Sequence, residues 1–271
     1  RRVEIPFDAG ASIDEVVTLW MEPAGGGPDG RLDQFAPGQF AMLWSPGVGE
    51  VPISLSMADG DRLGFTIRSV GATTAALCGA AEGGPVGLRG PFGRGWSMPA
   101  STQRPLVVAG GIGLAPLRMH IDRLVEAAAG ADHIGGSAPV VVIGARSPAE
   151  LLYPDDIDRW GRSADVHVTV DRPSAGWTGE VGLVTSTLGR VTIDDATAAT
   201  LCGPEIMMRL AGSDIAAAGA DADNIEVSME RSMACAVAHC GRCQIGPVFV
   251  CRDGPVFGWS DARALMQVRR W

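Results

Sequence analysis

Leu106-Val107-Val108-Ala109-Gly110-Gly111-Ile112-Gly113-Leu114-Ala115-Pro116 passes from an unbroken apolar run through glycines into residues that suit a helix. An apolar run without alternation fits a strand buried on both faces, as in a parallel sheet. Glycines in such a turn let backbone N–H groups approach a phosphate, and a helix N-terminus favours the negative charge. The same letters also suit a tight turn with no ligand, and they are not the G-x-G-x-x-G fingerprint. Outward from this stretch the rhythm of strand and helix continues. A helix is expected near 114–128, a strand at Val140-Val141-Val142-Ile143, a helix near 155–160 and a strand at 166–170. Thr200-Leu201-Cys202 ends a further strand before a helix near 205–218, and 225–229 adds another strand. Strands alternating with helices predict a parallel α/β sheet. Cys202-Gly203-Pro204 then lies at a strand's carboxyl end, facing the same crevice as Gly111 and Gly113. Taken alone, Cys202 reads as a buried, inert thiol.

Upstream, the first hundred residues carry a different pattern. Short apolar or alternating segments near 3–7, 13–20, 39–44, 51–56, 62–68 and 85–88 are separated by Gly, Pro and Asp. They predict a small antiparallel barrel or sandwich. Gly25-Gly26-Gly27-Pro28-Asp29-Gly30 reads as a loop, and Ala and Leu concentrate into one helix near 72–79. Downstream, the chain is expected to close with a helix near 260–268.

The 271 residues, 46% of them hydrophobic, suffice for one to three domains with a sizeable core. Charged residues at 20%, with Gly 37 and Pro 18, describe a turn-rich globular chain rather than a disordered or collagen-like one. All 22 basic residues are Arg, the net charge is −9, and no basic stripe marks a nucleic-acid partner. No apolar run approaches the roughly 20 residues that span a bilayer, and no secretion signal follows Arg1 and Arg2. The expected compartment is therefore the cytoplasm.

Four of the six cysteines fall within seventeen residues, as Cys235, Cys240, Cys243 and Cys251. A disulfide framework would spread its cysteines through a small secreted chain. The spacing C-x4-C-x2-C-x7-C places soft thiolate ligands in the plant-type order of a [2Fe–2S] cluster. Structural zinc more often uses paired C-x2-C knuckles, and a four-cysteine zinc site is the alternative. The four histidines, His120, His133, His167 and His239, show no metal-ligand spacing. His239 adjoins Cys240, and solvent exposure is its simpler reading.

Several further motifs carry a family resemblance in chain order. They are Phe35-Ala36-Pro37-Gly38-Gln39-Phe40, Pro52-Ile53-Ser54-Leu55-Ser56, Thr66-Ile67-Arg68-Ser69-Val70-Gly71 with Thr73 and Thr74, and Leu88-Arg89-Gly90-Pro91-Phe92-Gly93. After them come Gly110 to Leu117, Gly144-Ala145-Arg146, Cys202-Gly203-Pro204-Glu205 with Met207, Glu230-Arg231-Ser232-Met233, and Val250-Cys251-Arg252-Asp253-Gly254-Pro255-Val256-Phe257. Together they resemble the ferredoxin–NADP reductase superfamily, in the branch that ends in a [2Fe–2S] domain. That branch includes the electron-transfer subunit of dihydroorotate dehydrogenase, a subunit of anaerobic sulfite reductase, and the gamma (diaphorase) subunit of NAD(P)-linked [NiFe] hydrogenase. Cys240–Gly246 and Val250–Phe257 look most like the hydrogenase subunit.

The resemblance implies a β barrel followed by an α/β parallel-sheet nucleotide domain and a small C-terminal [2Fe–2S] domain. The implied boundaries are 1–100 for FAD, 101–222 for NAD(P) and 223–271 for the cluster. It implies that Pro52, Ile53, Ser54 and Leu55, with Ile67, Arg68, Val70, Gly71, Thr73 and Thr74, contact FAD. Ser54 would orient the flavin. Gly111, Ile112, Gly113, Leu114, Ala115, Gly203 and Pro204 would bind NAD(P)(H), with Cys202 near the hydride-transfer locus. A 2′-phosphate wants a nearby Arg, which Arg146 and Arg172 are positioned by sequence to supply although both could equally face solvent, so NAD(H) and NADP(H) both remain open. The four clustered cysteines would hold the iron. Two departures from the pattern stand out. Val51 and Ile53 replace an Arg and an aromatic residue of the flavin motif, and Ala236 and Ala238 occupy two glycine positions of the cluster loop.

The implied activity is that of an NAD(P)H-dependent flavin and iron–sulfur oxidoreductase subunit. It would exchange electrons with the catalytic and iron–sulfur subunits of a larger complex, with [NiFe] hydrogenase as the expected partner. The dihydroorotate dehydrogenase or anaerobic sulfite reductase subunit is the alternative, and a non-enzymatic zinc-binding interaction module is a remote one.

Overall fold

A computed structural model describes residues 1–8, 13–24, 34–130 and 138–268. The Gly25–Gly30 loop and His133 lie outside them. The chain opens with β1 (Arg2–Ile5), β2 (Val16–Met21), β3 (Phe40–Ser45), β4 (Gly49–Asp59), β5 (Arg62–Arg68), helix α1 (Ala72–Cys78) and β6 (Gly87–Phe92). The strands form one antiparallel sheet in the order β1-β2-β5-β4-β3-β6. Phe40, Leu55, Leu63, Phe65 and Ile67 are buried, and burial runs almost unbroken along β2, β3 and β5. Inside this sheet Thr18, Thr66 and Ser56 link hydroxyl to hydroxyl at 2.8 and 3.0 Å, and Ser56 donates to the Gly64 carbonyl. Buried polar atoms are thereby satisfied. Among the described residues no pairing joins β1 to β6. The described pairings give a six-stranded sheet and do not themselves show the closure of the expected barrel.

The next segment holds β7 (Arg104–Gly110), α2 (Leu114–Ala129), β8 (Val140–Ala145), α3 (Pro154–Trp160), β9 (Asp165–Val170), β10 (Glu180–Val181), α4 (Val184–Leu188), β11 (Thr197–Cys202), α5 (Glu205–Ala217) and β12 (Ile225–Ser228). Strands β10-β9-β8-β7-β11-β12 run parallel in that order. Leu106, Val107, Val108 and Ala109 are each at most 2% exposed, as a central parallel strand requires. Helix α3 starts on Pro154 with Asp155 and Asp156 in its first turn, which suits both the missing N–H and the helix dipole. The half-buried Asp156 pairs with Arg118 of α2 at 2.7 Å.

The final segment adds β13 (Gln244–Ile245), β14 (Val248–Phe249), α6 (Val250–Asp253), β15 (Val256–Gly258) and α7 (Trp259–Leu265). It is shared between two compact units. The first unit combines residues 1–95 with 230–255, and the second combines 96–229 with 256–271. β15 extends the parallel sheet antiparallel to β12, carrying α7 with it. The expected segment 223–271 is thus divided, because its cluster loop packs on the antiparallel sheet and its last strand joins the other one. No described helix is long and apolar enough to cross a membrane.

Candidate functional site

In the second unit the strand order reverses between β7 and β11, and the glycine turn follows the first of these. Open α/β sheets bind ligands at this switch point, beyond the carboxyl ends of the strands. Gly111 takes φ 54°, a left-handed conformation that favours glycine. A methyl at Gly110 would lie 2.5 Å from Met207 Sδ, and one at Gly113 would strike the Cys202 carbonyl oxygen. The turns after β7 and β11 therefore approach backbone to backbone at Gly113 and Cys202. Cys202 itself is only 2% exposed. Arg146 and Arg172 follow β8 and β9, are both exposed, and are joined by a backbone hydrogen bond of 2.9 Å. A cavity of about 380 Å³ opens at the opposite, amino ends of β7, β11 and β12, and so stands apart from this crevice.

In the first unit, Pro52, Ile53 and Ser54 are half-buried on β4, with Ser54 opposite Phe40 of β3. Leu55 and Ile67 are buried, Arg68 and Thr73 half-buried, and Val70 and Gly71 exposed. Among the described residues the Ser54 and Thr73 hydroxyls and the Arg68 guanidinium make no hydrogen bond, which leaves three polar groups free for a ligand. Thr74 is committed differently. Its hydroxyl accepts from the Val70 and Gly71 amides and donates to the Gly71 carbonyl, which fixes the start of α1.

The cysteine loop belongs to this same unit. Amides of Val237, His239 and Cys240 donate to Cys235 Sγ at 3.3–3.4 Å, and the Ala238 amide donates to Cys251 Sγ at 3.1 Å. Ala236 and Ala238 take φ 61° and 56°, which turns these amides inward. Among the described residues no set of three or more His, Cys, Asp or Glu side chains has the geometry to hold a single metal ion. Hydrogen bonds from the Val237, Cys240 and His239 amides lower the Cys235 thiol to about 6. Burial, reinforced by Cys243, raises Cys251 to about 11. Cys243 and Cys251 are buried, Cys235 is half-buried, and Cys240 and His239 are exposed. Four thiols in one short loop, with backbone amides donating to two of the sulfurs and no arrangement suited to a single ion, fit an iron–sulfur cluster better than one tetrahedral ion.

Sequence reasoning missed how this loop is anchored. Arg94 donates its amide to the Gly254 carbonyl at 2.6 Å, and a methyl at Gly93 would lie 2.5 Å from Pro255 Cδ. Gln39 donates to the Gly93 carbonyl at 2.8 Å and accepts from the Ala36 amide. The motifs at 35–40, 88–93 and 250–255 thus form one packed junction. Glycine and proline at 90–93 and 254–255 were its only sequence signal.

Comparisons with known proteins follow this geometry. A profile described as an oxidoreductase NAD-binding domain matches residues 107–212. One described as the iron–sulfur cluster binding domain of dihydroorotate dehydrogenase B matches residues 230–261. The probable dihydroorotate dehydrogenase B (NAD(+)) electron transfer subunit of Archaeoglobus fulgidus is 37% identical over 249 residues, covering 92% of this chain and 93% of the relative. The protein of the same description from Pyrococcus furiosus is 36% identical, covering 83% of this chain and 80% of the relative. A solved NADH-dependent reduced ferredoxin–NADP oxidoreductase superposes with TM-score 0.73 at 25% identity, over 95% of this chain and 90% of that one. The cytochrome b5 reductase domain of Ulva prolifera nitrate reductase shares the fold, with TM-score 0.62 at 17% identity over 81% of this chain and 93% of that one. These relatives lend no support to the hydrogenase partner and favour the dihydroorotate dehydrogenase alternative. The stretches that suggested hydrogenase, Cys240–Gly246 and Val250–Phe257, fall within the segment matched by the dihydroorotate dehydrogenase B iron–sulfur profile.

Proposed function

The chain belongs to the family of dihydroorotate dehydrogenase B electron transfer subunits, and from this membership we propose that it passes electrons between a catalytic partner subunit and NAD(H) by way of a [2Fe–2S] cluster and FAD. When bound, these groups together supply the exchange of single electrons for a two-electron hydride. The work of this chain is binding and alignment, since hydride transfer depends on alignment above all.

In the second unit the backbone of Gly111, Ile112 and Gly113 would approach the dinucleotide phosphates just ahead of α2, where the helix dipole favours negative charge. Leu114, whose N–H is donated to the Gly111 and Ile112 carbonyls, and Ala115 would line the turn. Gly203 and Pro204, with the backbone of Cys202, form the opposing wall. Arg146 and Arg172 meet the adenosine end. In the first unit Pro52, Ile53, Leu55 and Ile67 supply apolar contact for the flavin, and the Ser54 hydroxyl orients it. Arg68 and Thr73 replace the absent arginine of the flavin motif as diphosphate partners, assisted by the Val70 and Gly71 backbone. Thr74 holds that segment in shape. Cys235, Cys240, Cys243 and Cys251 would hold the cluster.

The observation that carries this reading is the gathering of four cysteines in one loop whose backbone amides donate to the Cys235 and Cys251 sulfurs. Thiolates so surrounded suit an iron–sulfur cluster, whose charge N–H···S bonds stabilise. The test combines this chain with a dihydroorotate dehydrogenase B catalytic subunit. Dihydroorotate-dependent formation of NADH is expected only when both are present, and Cys251→Ser should abolish it. Failure to couple, with a stable [NiFe] hydrogenase complex in its place, would return the partner to the hydrogenase reading.

A further inference from the structure

Arg89 on β6 and Glu50 on β4 flank β3, where they stand beside Met42 and Trp44 respectively. The guanidinium Nε and Nη2 donate to the two Glu50 carboxylate oxygens at 2.7 Å each, a bidentate fork. The remaining nitrogen, Nη1, donates to the Cys235 carbonyl at 3.4 Å. The guanidinium carbon lies 5.6 Å from the Phe92 ring centroid, so a ring face also constrains it. The cation is therefore held by the sheet, with one end on the carboxylate and the other on the residue that begins the cysteine loop. Its pKa is raised above the ordinary arginine range, chiefly by the Glu50 hydrogen bond and with a smaller contribution from Cys235.

We propose that the Arg89–Glu50 pair is a positioning and charge-setting device that tunes the midpoint potential of the cluster held by Cys235, Cys240, Cys243 and Cys251. This inference rests on the functional reading above. The two charges cancel at long range, but the cation's free edge meets Cys235, and interaction energy falls with distance. Cluster reduction adds one negative charge. Removing the carboxylate charge leaves an unmatched cation beside the loop, which favours the added electron. Removing the guanidinium leaves an unmatched anion, which opposes it. A clamp that acted only through loop shape would not give shifts of opposite sign. The pair is also partly exposed, at 46% and 25% of its side-chain surfaces. Salt should therefore screen its effect.

The test is a redox titration of the full chain, purified anaerobically with its cofactors and read by electron paramagnetic resonance of the reduced cluster. Glu50→Gln should raise the midpoint potential, Arg89→Gln should lower it, and Arg89→Lys should stay near the wild type. Both shifts should shrink at high salt. Potentials that coincide, or that move in the same direction with the cluster signal intact, overturn the proposal. If Arg89→Gln fails to retain iron, a raised potential in Glu50→Gln beside a near wild-type potential in Arg89→Lys supports the proposal, and an unchanged or lowered potential in Glu50→Gln overturns it. A wild-type chain without an iron–sulfur signal would overturn the functional reading first, and this one with it.

Discussion

Ala236 and Ala238 show how one residue position can carry a site. Both adopt left-handed φ values, 61° and 56°, where a Cβ costs roughly 1–2 kcal/mol. The sequence already marked these as places where glycine was expected, and the structure supplies the reason. Replacing Ala238 by glycine should change loop stability by no more than about 1 kcal/mol, since relieved strain is offset by greater freedom in the unfolded chain. Ala238→Val, branched at Cβ, should slow iron uptake and speed cluster loss to a chelator. Absorbance after chelator addition measures this, and equal rates for Gly and Val variants would contradict it. His120 offers a second test. Burial, with Arg123 nearby, lowers its pKa from 6.5 to about 4. The folded state then binds fewer protons than the unfolded state between these values. The resulting stability is complete above pH 6.5 and is lost as pH falls toward 4, by up to about 3 kcal/mol. His120→Phe should remove that part of the acid slope in urea unfolding, while an unchanged slope would show that His120 does not titrate this way.

At the scale of elements, the glycine turn and α2 were legible because the letters encode the physics directly. An unbroken apolar run means burial on both faces, and glycines mean close approach. The contact between the turns after β7 and β11 makes a sharp prediction. Gly113→Ala would press a methyl against the Cys202 carbonyl, so the NADH dissociation constant should rise by at least about tenfold, or about 1.4 kcal/mol. Flavin and iron content should stay unchanged, because those sites lie in the other unit. Titration of NADH against flavin-loaded protein measures it. Strands β10, β13, β14 and β15 were not legible. Two or three residues carry no periodicity, and their pairing is decided by distant partners such as β12. The candidate flavin residues were readable by position only. That Thr74 is absorbed by its helix start while Thr73 stays free needed coordinates.

For the whole molecule, the sequence suggested three consecutive domains, but its last segment is shared between two units. Nothing local marks the split at Pro255, because it follows from which sheet each short strand joins. Trp259, 2% exposed, lies against Gly212 of α5, where an added methyl would come within 2.8 Å of the ring. Trp259→Ala should destabilise the second unit by about 3–5 kcal/mol. NADH binding should then be lost on heating well before the cluster absorbance, whereas simultaneous loss would contradict the division. The central claim is that one chain joins NAD(H) to a cluster through a flavin. Its most direct measurement is an anaerobic absorption spectrum of the natively purified chain, with iron, sulfide and flavin assayed on the same sample. Flavin and iron–sulfur bands that both bleach on adding NADH are the expected result. A colourless protein that holds zinc and no flavin would contradict the account.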